Sequence, residues 1–352
     1  MRIVAARLLA RTVPLMSSPV VVPSAPGADA GGRRLVIWPV EGRLYGFDFG
    51  AGGEELPPTA EFVLGGSARD TWGAVVAPDG GCVVRSSQAA VECVGADGVE
   101  RWRLGFEAPT HESVGWLDCA FSTDGAQVWV YRPDAMLGRG EGGDRWLVLD
   151  AEDGRVLAEA PLPTVGQGAR QMMHPDGRHV LLDVGEGQDG VQLFRGALVG
   201  ERLEVHEYPW DDRCLIDVSP DGREFMTVGH GTDDAVFHAF PDGEELCSFG
   251  LERFVPEDAD QDEDADDVED DDDVEEEQER IALGWSGGYL NEETAVITLT
   301  GESGDVEWTR HQVVDLASGA ILGELPGEPR LLGDGTWVAM DDQGRLSHWG
   351  LR

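Results

Sequence analysis

The sequence contains no lysine: all 26 of its positive charges are arginine. That absence removes Schiff-base catalysis and the phosphate-loop lysine from the chemistry open to the chain. Positive charge of any kind is scarce, since 68 acidic residues leave a net charge of −42. Nucleic acid and anionic membrane surfaces are not expected as direct ligands, because phosphate contacts need clustered Arg or Lys. Asparagine occurs once, at Asn291. Cysteine is sparse: Cys82, Cys93, Cys119, Cys214 and Cys247 are odd in number, spread out and never in a C-x-x-C arrangement. A disulfide framework or zinc site wants closer, paired spacing, so these thiols read as small core residues in a reducing compartment, the cytoplasm. No uncharged apolar run is long enough to cross a bilayer. No long stretch shows the 3.6-residue period of an amphipathic helix.

At 352 residues the chain can bury about three quarters of its unfolded surface if it folds as one unit. Its opening stretch, MRIVAARLLARTVPLMSSPVVVPSAPGADA, carries early arginines, mild apolarity and an Ala28-Asp29-Ala30 that resembles a signal-peptidase site. Arg7 and Arg11 interrupt the first apolar part, and Pro14, Pro19, Pro23 and Pro26 break the second. An uncleaved chain is therefore expected, with export as the alternative.

What the sequence does have is a recurring turn. APDG ends at Gly80, STDG at Gly125, HPDG at Gly177 and SPDG at Gly222, while degenerate versions, WSGG and LGDG, end at Gly288 and Gly335. Pro presets φ, Asp bonds its own backbone and Gly accepts positive φ, so each tetrapeptide is a turn with a mechanism. The intervals are 45, 52, 45, 66 and 47 residues. The long one contains an acidic segment from Glu257 to Glu279, and without those 23 residues it falls to 43. Each interval holds an apolar run, the first turn, a second run, a gap, a third run ending in a glycine turn, and a fourth run, as in CLIDVSPDG, REFMTVG, DAVFHAFPDG and EELCSFG. The runs are short, rich in Val, Leu, Phe and Trp, and bounded by Gly, Pro and Asp, which makes each unit a four-stranded antiparallel meander. A lone meander cannot bury both faces and must stack on copies of itself.

Four strands per unit of 40–50 residues is the arithmetic of a β-propeller blade. Through the x-P-D-G turn between its first two strands and the D-x-x-x-G turn before its last, as in DAEDGRVLAE and DLASGAILGE, the chain resembles the WD40-like, YVTN-like and TolB-like propellers of bacteria. The Gly-His and terminal Trp-Asp signatures of eukaryotic WD40 repeats are missing. The resemblance covers nearly the whole chain and implies one all-β domain, a seven-bladed propeller over residues 1–352. The last unit offers only three strands, RLLGDG, TWVAMDDQG and RLSHWGLR, and an open sheet edge is an aggregation hazard. The N-terminal MRIVAARLL is expected to fill the gap as its outer strand, with a helix over residues 2–10 as the alternative, given its Ala, Leu and Arg content.

Candidate sites are few. GWSGGYL, residues 284–290, satisfies G-x-S-x-G at Ser286 and looks like the serine-nucleophile stretch of prolyl-oligopeptidase-type peptidases. Such a nucleophile needs a strained strand-to-helix elbow, a downstream Asp and His, and an α/β domain to hold them. Here TAVITLT follows as strand and 64 residues remain after Gly288, so a blade turn is expected. Of the eight histidines, His174 and His179 flank one turn, His230 and His238 straddle another, and none makes the i, i+4 pair of a helical zinc site. Lactonase-type propellers hold a divalent metal in the channel, so a metal enzyme is the alternative from another functional class, and a TolB-like exported accessory propeller a further one. No catalytic residue, cofactor or metal is expected.

Most tryptophans, among them Trp72, Trp102, Trp116, Trp129 and Trp285, fall in or beside predicted strands, where large rings fill the wedges between blades. Trp210, in EYPWDDR, falls between units on an expected loop, and with Asp211 and Asp212 is a candidate partner anchor, since interfaces favour Trp. The segment 257–279 carries 17 acidic residues and no basic one. Neighbouring charges about 7 Å apart repel by roughly 0.6 kcal/mol in water, so a disordered acidic insertion between the fifth and sixth blades is expected. Asp270, Asp271, Asp272, Asp273, Glu275, Glu276 and Glu277 are the densest part of this lure for an Arg/Lys-rich protein. The function these features imply is a monomeric, non-enzymatic protein-interaction scaffold.

Overall fold

A computed structural model of the chain describes residues 4–12, 35–40, 42–49, 55–63, 73–111, 115–139, 143–255, 280–304, 306–341 and 343–351. Apart from two single turns of 3-10 helix, Gly187–Asp189 and Leu251–Arg253, the regular structure among these residues is strand. The strands form seven sheets, one per repeat unit, and the fold is a seven-bladed β-propeller. We number the blades I to VII from residue 35. Blades II to VI are four-stranded meanders in sequence order; in blade III, for example, Asp118–Phe121, Gln127–Arg132, Arg145–Asp150 and Val156–Pro161 pair antiparallel, inner strand first.

The x-P-D-G turns fold alike. The N–H of Gly80, Gly125, Gly177 and Gly222 donates to the carbonyl three residues back at 2.8, 2.8, 3.0 and 2.9 Å. Each of these glycines takes a left-handed φ between 67° and 72°, which a side chain would resist. The preceding Asp accepts from the N–H two residues on, as Asp79 does from Gly81 at 2.8 Å and Asp221 from Arg223 at 3.0 Å. LGDG also forms a turn, with Leu332 donating to Thr336 O at 3.0 Å. WSGG does not. The inner strand of blade VI, Arg280–Tyr289, runs through it with a bulge between Leu283 and Gly287, and the turn comes later, at Leu290–Thr294. There the chain's one asparagine does the work of the missing Asp: Asn291 Oδ1 accepts from the N–H of Glu293 and of Thr294 at 2.8 and 2.9 Å.

Each blade buries both faces, and period-2 alternation divides its side chains between two neighbours. On Gln127–Arg132, Val128 and Val130 pack towards blade II while Trp129 and Tyr131 pack towards blade IV. The buried apolar residues accordingly fall into seven clusters, one at each seam between adjacent blades. Three of the five cysteines, Cys82, Cys93 and Cys119, lie in the blade II–III seam, and all five are thiols.

The N-terminal segment closes the ring. Ala6–Thr12 pairs antiparallel with Leu346–Leu351, in the register Ala6↔Leu351 to Arg11↔Ser347, and supplies the fourth strand of blade VII. Thr12 Oγ1 accepts from the Leu346 N–H at 3.0 Å, and Val4 donates to Glu324 O of blade VI at 3.1 Å. A short strand, Glu55–Leu56, adds in parallel at Arg11 and Thr12 and covers that end of the blade's outer edge. The seam to blade I then buries Ala10 with Val36, Phe47 and Leu346.

Candidate functional site

Polar side chains on the first and second strands hook several blades to the next. Ser86 donates to Leu117 O at 3.4 Å across the blade II–III seam. Asp118 accepts from the N–H of Gln171 in blade IV at 2.9 Å. Asp183 accepts from Arg170 N in its own blade at 3.0 Å and from Leu215 N of blade V at 2.9 Å. Asp217 accepts from Tyr289 N of blade VI at 2.8 Å, and Arg330 of blade VII donates to Ile37 O of blade I at 3.0 Å. These contacts satisfy backbone groups that seams without ladder hydrogen bonds would leave open.

Burial governs their ionisation. It pushes Asp118 up to about 7, against the opposing hydrogen bonds from Gln171. Asp183 and Asp217 rise to about 6 for the same reason, and Arg330 falls to about 10 through burial and the nearby Arg170. The channel therefore holds carboxylates that titrate near neutrality but whose oxygens already serve the blades.

A different set of groups faces solvent at the end of the ring where the inner strands begin. Trp116, two residues before the blade III inner strand, is 55% exposed, and Trp285, in the blade VI bulge, is 52% exposed. Both differ from the expectation that they fill wedges. Trp116 lies beyond the start of its strand, and the bulge turns Trp285 out. His230, in the loop after blade V's second strand, stacks flat on Trp285 at 5.1 Å and 8°. Its Nδ1 lies 3.0 Å from Asp212 Oδ1. Asp212 holds a left-handed φ of 73°, a conformation aspartate tolerates better than most residues. Blade V's last strand, Glu245–Gly250, ends and blade VI's first, Arg280–Tyr289, begins at this same end, as in any four-stranded meander.

The predicted site residues divide accordingly. Asp212 reaches the exposed face. Trp210 and Asp211 lie on a strand, Arg202–Asp211, instead of a loop; the strand bulges beside Pro209, and an edge strand accommodates proline in that way. Trp210 is half-buried, stacked on Tyr208 at 4.8 Å and on His238 at 4.2 Å, and a Cβ on Gly243 of blade V would come within 2.6 Å of its ring. His238 beneath it is pulled down to about 4 by burial and is neutral at pH 7. Asp270, Asp271, Asp272, Asp273, Glu275, Glu276 and Glu277 lie outside the described residues, as does Trp72. Ser286 sits in a strand bulge between glycines, without the strand-to-helix elbow a serine nucleophile requires.

Among the described residues, one group brings three ligand-type atoms within 4.8 Å of one another: His174, Asp176 and His179, at the HPDG turn of blade IV. Sequence reading noticed both histidines but placed them only as flanks of a turn. Two residues of polar spacing plus the turn's reversal were the signal.

No protein-family model matches the chain, and no curated protein matches it. Among solved structures it is similar to the propeller of Dos1, at 10% identity and a TM-score of 0.54, covering 98% of this chain and 95% of that one. It is also similar to BBS1N, solved in complex with ARL6DN, at 11% identity and a TM-score of 0.51, covering 97% and 98%. At these identities the likeness concerns the fold alone.

Proposed function

We propose that the chain is a non-enzymatic interaction scaffold, a cytoplasmic bacterial propeller of the WD40-like, YVTN-like and TolB-like kind, that holds an Arg/Lys-rich protein. One observation carries this: two half-exposed tryptophans, Trp116 and Trp285, share one face with the departure of an acidic segment, on a molecule of net charge −42. An arginine side chain stacks on a tryptophan face, and a desolvated contact of that kind contributes about 1–2 kcal/mol. The surrounding negative field speeds encounter and selects for positive charge. Trp210 contributes less to this surface, because its ring is spent on the blade IV–V seam. The five thiols accord with a reducing compartment. No helix of the described residues is long and apolar enough to cross a membrane.

The test uses fluorescence anisotropy with labelled Arg/Lys-rich and Asp/Glu-rich peptides at low and near-physiological salt. The basic peptide should bind, and weaken steeply with salt. The double change Trp116→Ala and Trp285→Ala should cost about tenfold in affinity, the equivalent of about 1.4 kcal/mol. Deleting residues 257–279 should slow association and leave the melting temperature unchanged. Equal binding of both peptides, or affinity indifferent to salt, overturns the proposal.

A further inference from the structure

The x-P-D-G turn occurs in four blades with the same backbone hydrogen bonds but different flanking residues. The residue before the turn donates to the residue after it in blade II (Ala77 to Cys82, 2.9 Å), blade III (Ser122 to Gln127, 3.0 Å), blade IV (His174 to His179, 2.9 Å) and blade V (Ser219 to Glu224, 2.9 Å). The turn therefore folds with Ala or Ser at the first place and Cys, Gln or Glu at the second. Blade IV alone of these four puts imidazole at both, although the turn requires none.

The two rings converge on the turn's aspartate. His174 is buried, and its Nε2 donates to Gly222 O of blade V at 2.8 Å, which fixes the tautomer and leaves a lone pair on Nδ1. That Nδ1 points into the turn, where it accepts from the Asp176 N–H at 3.2 Å, a bond the ion would displace, and lies 3.1 Å from Asp176 Oδ1. Phe240 of blade V stacks on the same ring at 3.8 Å and stands edge-on to His179 at 5.3 Å, so the His174 plane cannot swing. His179 Nδ1 lies 2.6 Å from Asp176 Oδ2. Asp176 uses Oδ1 for the turn, accepting from Arg178 N at 2.8 Å and His179 N at 3.0 Å, while Oδ2 meets the His179 ring.

We propose that His174 Nδ1, Asp176 Oδ2 and His179 Nδ1 bind one transition-metal dication, with Zn2+ the best fit. Two imidazoles and one carboxylate suit Zn2+, Co2+, Ni2+ or Cu2+, whereas Ca2+ and Mg2+ call for oxygen donors alone. Three protein ligands with water in the fourth position complete a tetrahedron. A ligating histidine that donates its other N–H to a backbone carbonyl is the outer-shell arrangement such sites use, and His174 has it through Gly222. The ion takes the place of the proton now shared between His179 and Asp176, which moves to His179 Nε2 or to solvent. Because the His174 ring is held by Gly222 and Phe240, the ion fastens the blade IV turn onto blade V. This site is independent of the partner surface proposed above.

The test begins with full-length protein stripped by chelator and titrated with Co2+. A visible d–d absorption should saturate at one equivalent and be bleached by Zn2+. Zn2+ should raise the melting temperature of the stripped protein. His179→Gln, which installs the residue blade III carries at that place, should keep the metal-free melting temperature and weaken Co2+ binding by about 100-fold. His174→Ser, matching blades III and V, is the second variant should the first fail to fold. A protein lacking residues 257–279 should retain the full absorption. The proposal is overturned by an undiminished band in both histidine variants, by a band that disappears with the acidic segment, or by no band at all.

Discussion

Asp118→Asn isolates one consequence of placing carboxyl groups at the channel wall. In the folded protein burial raises the Asp118 carboxyl to about 7, whereas in the unfolded chain it ionises near 4. Its folded pKa lies above its unfolded one, so the folded state binds more protons between those values, and stability falls as pH rises through that window. From pH 5 to pH 8 the integrated loss is about 2–3 kcal/mol at about 1.4 kcal/mol per pH unit, or about 2 after allowance for channel water. Asparagine keeps an oxygen where Asp118 Oδ2 accepts from Gln171 N and Nε2, at 2.9 and 3.3 Å, and cannot ionise. Asp183 and Asp217 titrate in both proteins and cancel in the comparison, apart from the small relief Asp183 feels when its neighbour loses charge. With about 2.1 cal/mol/K of unfolding entropy per residue, the variant should gain roughly 3 °C on the wild type between pH 5 and pH 8. Calorimetric scans at a fixed rate across that range read the difference directly. Parallel melting curves against pH would show that Asp118 is ionised without penalty, and the account of the channel would fail.

Gly196→Ala tests the blade III–IV seam. A Cβ there would lie 2.5 Å from one atom of the Trp146 ring and 3.1 Å from Trp129, and both rings are fully buried. Overpacking of this kind costs about 1–3 kcal/mol, visible as a lower urea midpoint; an unchanged midpoint refutes the packing described. Removing residues 1–12 strips the outer strand from Leu346–Leu351 and exposes its hydrogen-bonding edge. The shortened chain should aggregate on size-exclusion chromatography and regain a single monodisperse peak when a peptide of residues 4–12 is added in excess.

Much of this ring was legible in the chain. The spacing of Gly80, Gly125, Gly177 and Gly222 located turns that the structure places at the same residues, because a left-handed φ after an Asx-type hydrogen bond is a local requirement. The three-stranded last unit likewise implied a borrowed strand, since an open edge is a local liability wherever it occurs. WSGG misled, because a bulged strand and a glycine turn share the same composition. Trp210 misled for a related reason: its place between units read as a loop where the outer strand merely bulges. Exposure of Trp116 and Trp285 was out of reach, as it depends on where a strand starts and which way a bulge turns. The candidate site was half visible: Asp212 was named in advance, while His230, its partner at 3.0 Å, gave no sign of facing it.

By itself the sequence determined the repeating unit and the count of blades, through φ preferences and alternating apolar residues that act within a few positions of one another. It also determined the net charge of −42, whatever the fold. Only the tertiary structure decided which groups meet. Asp118 with Gln171, Asp183 with Leu215 and His174 with Gly222 are brought together by the angle at which one blade follows another, and that angle is set by side chains packing across seams far apart in the chain.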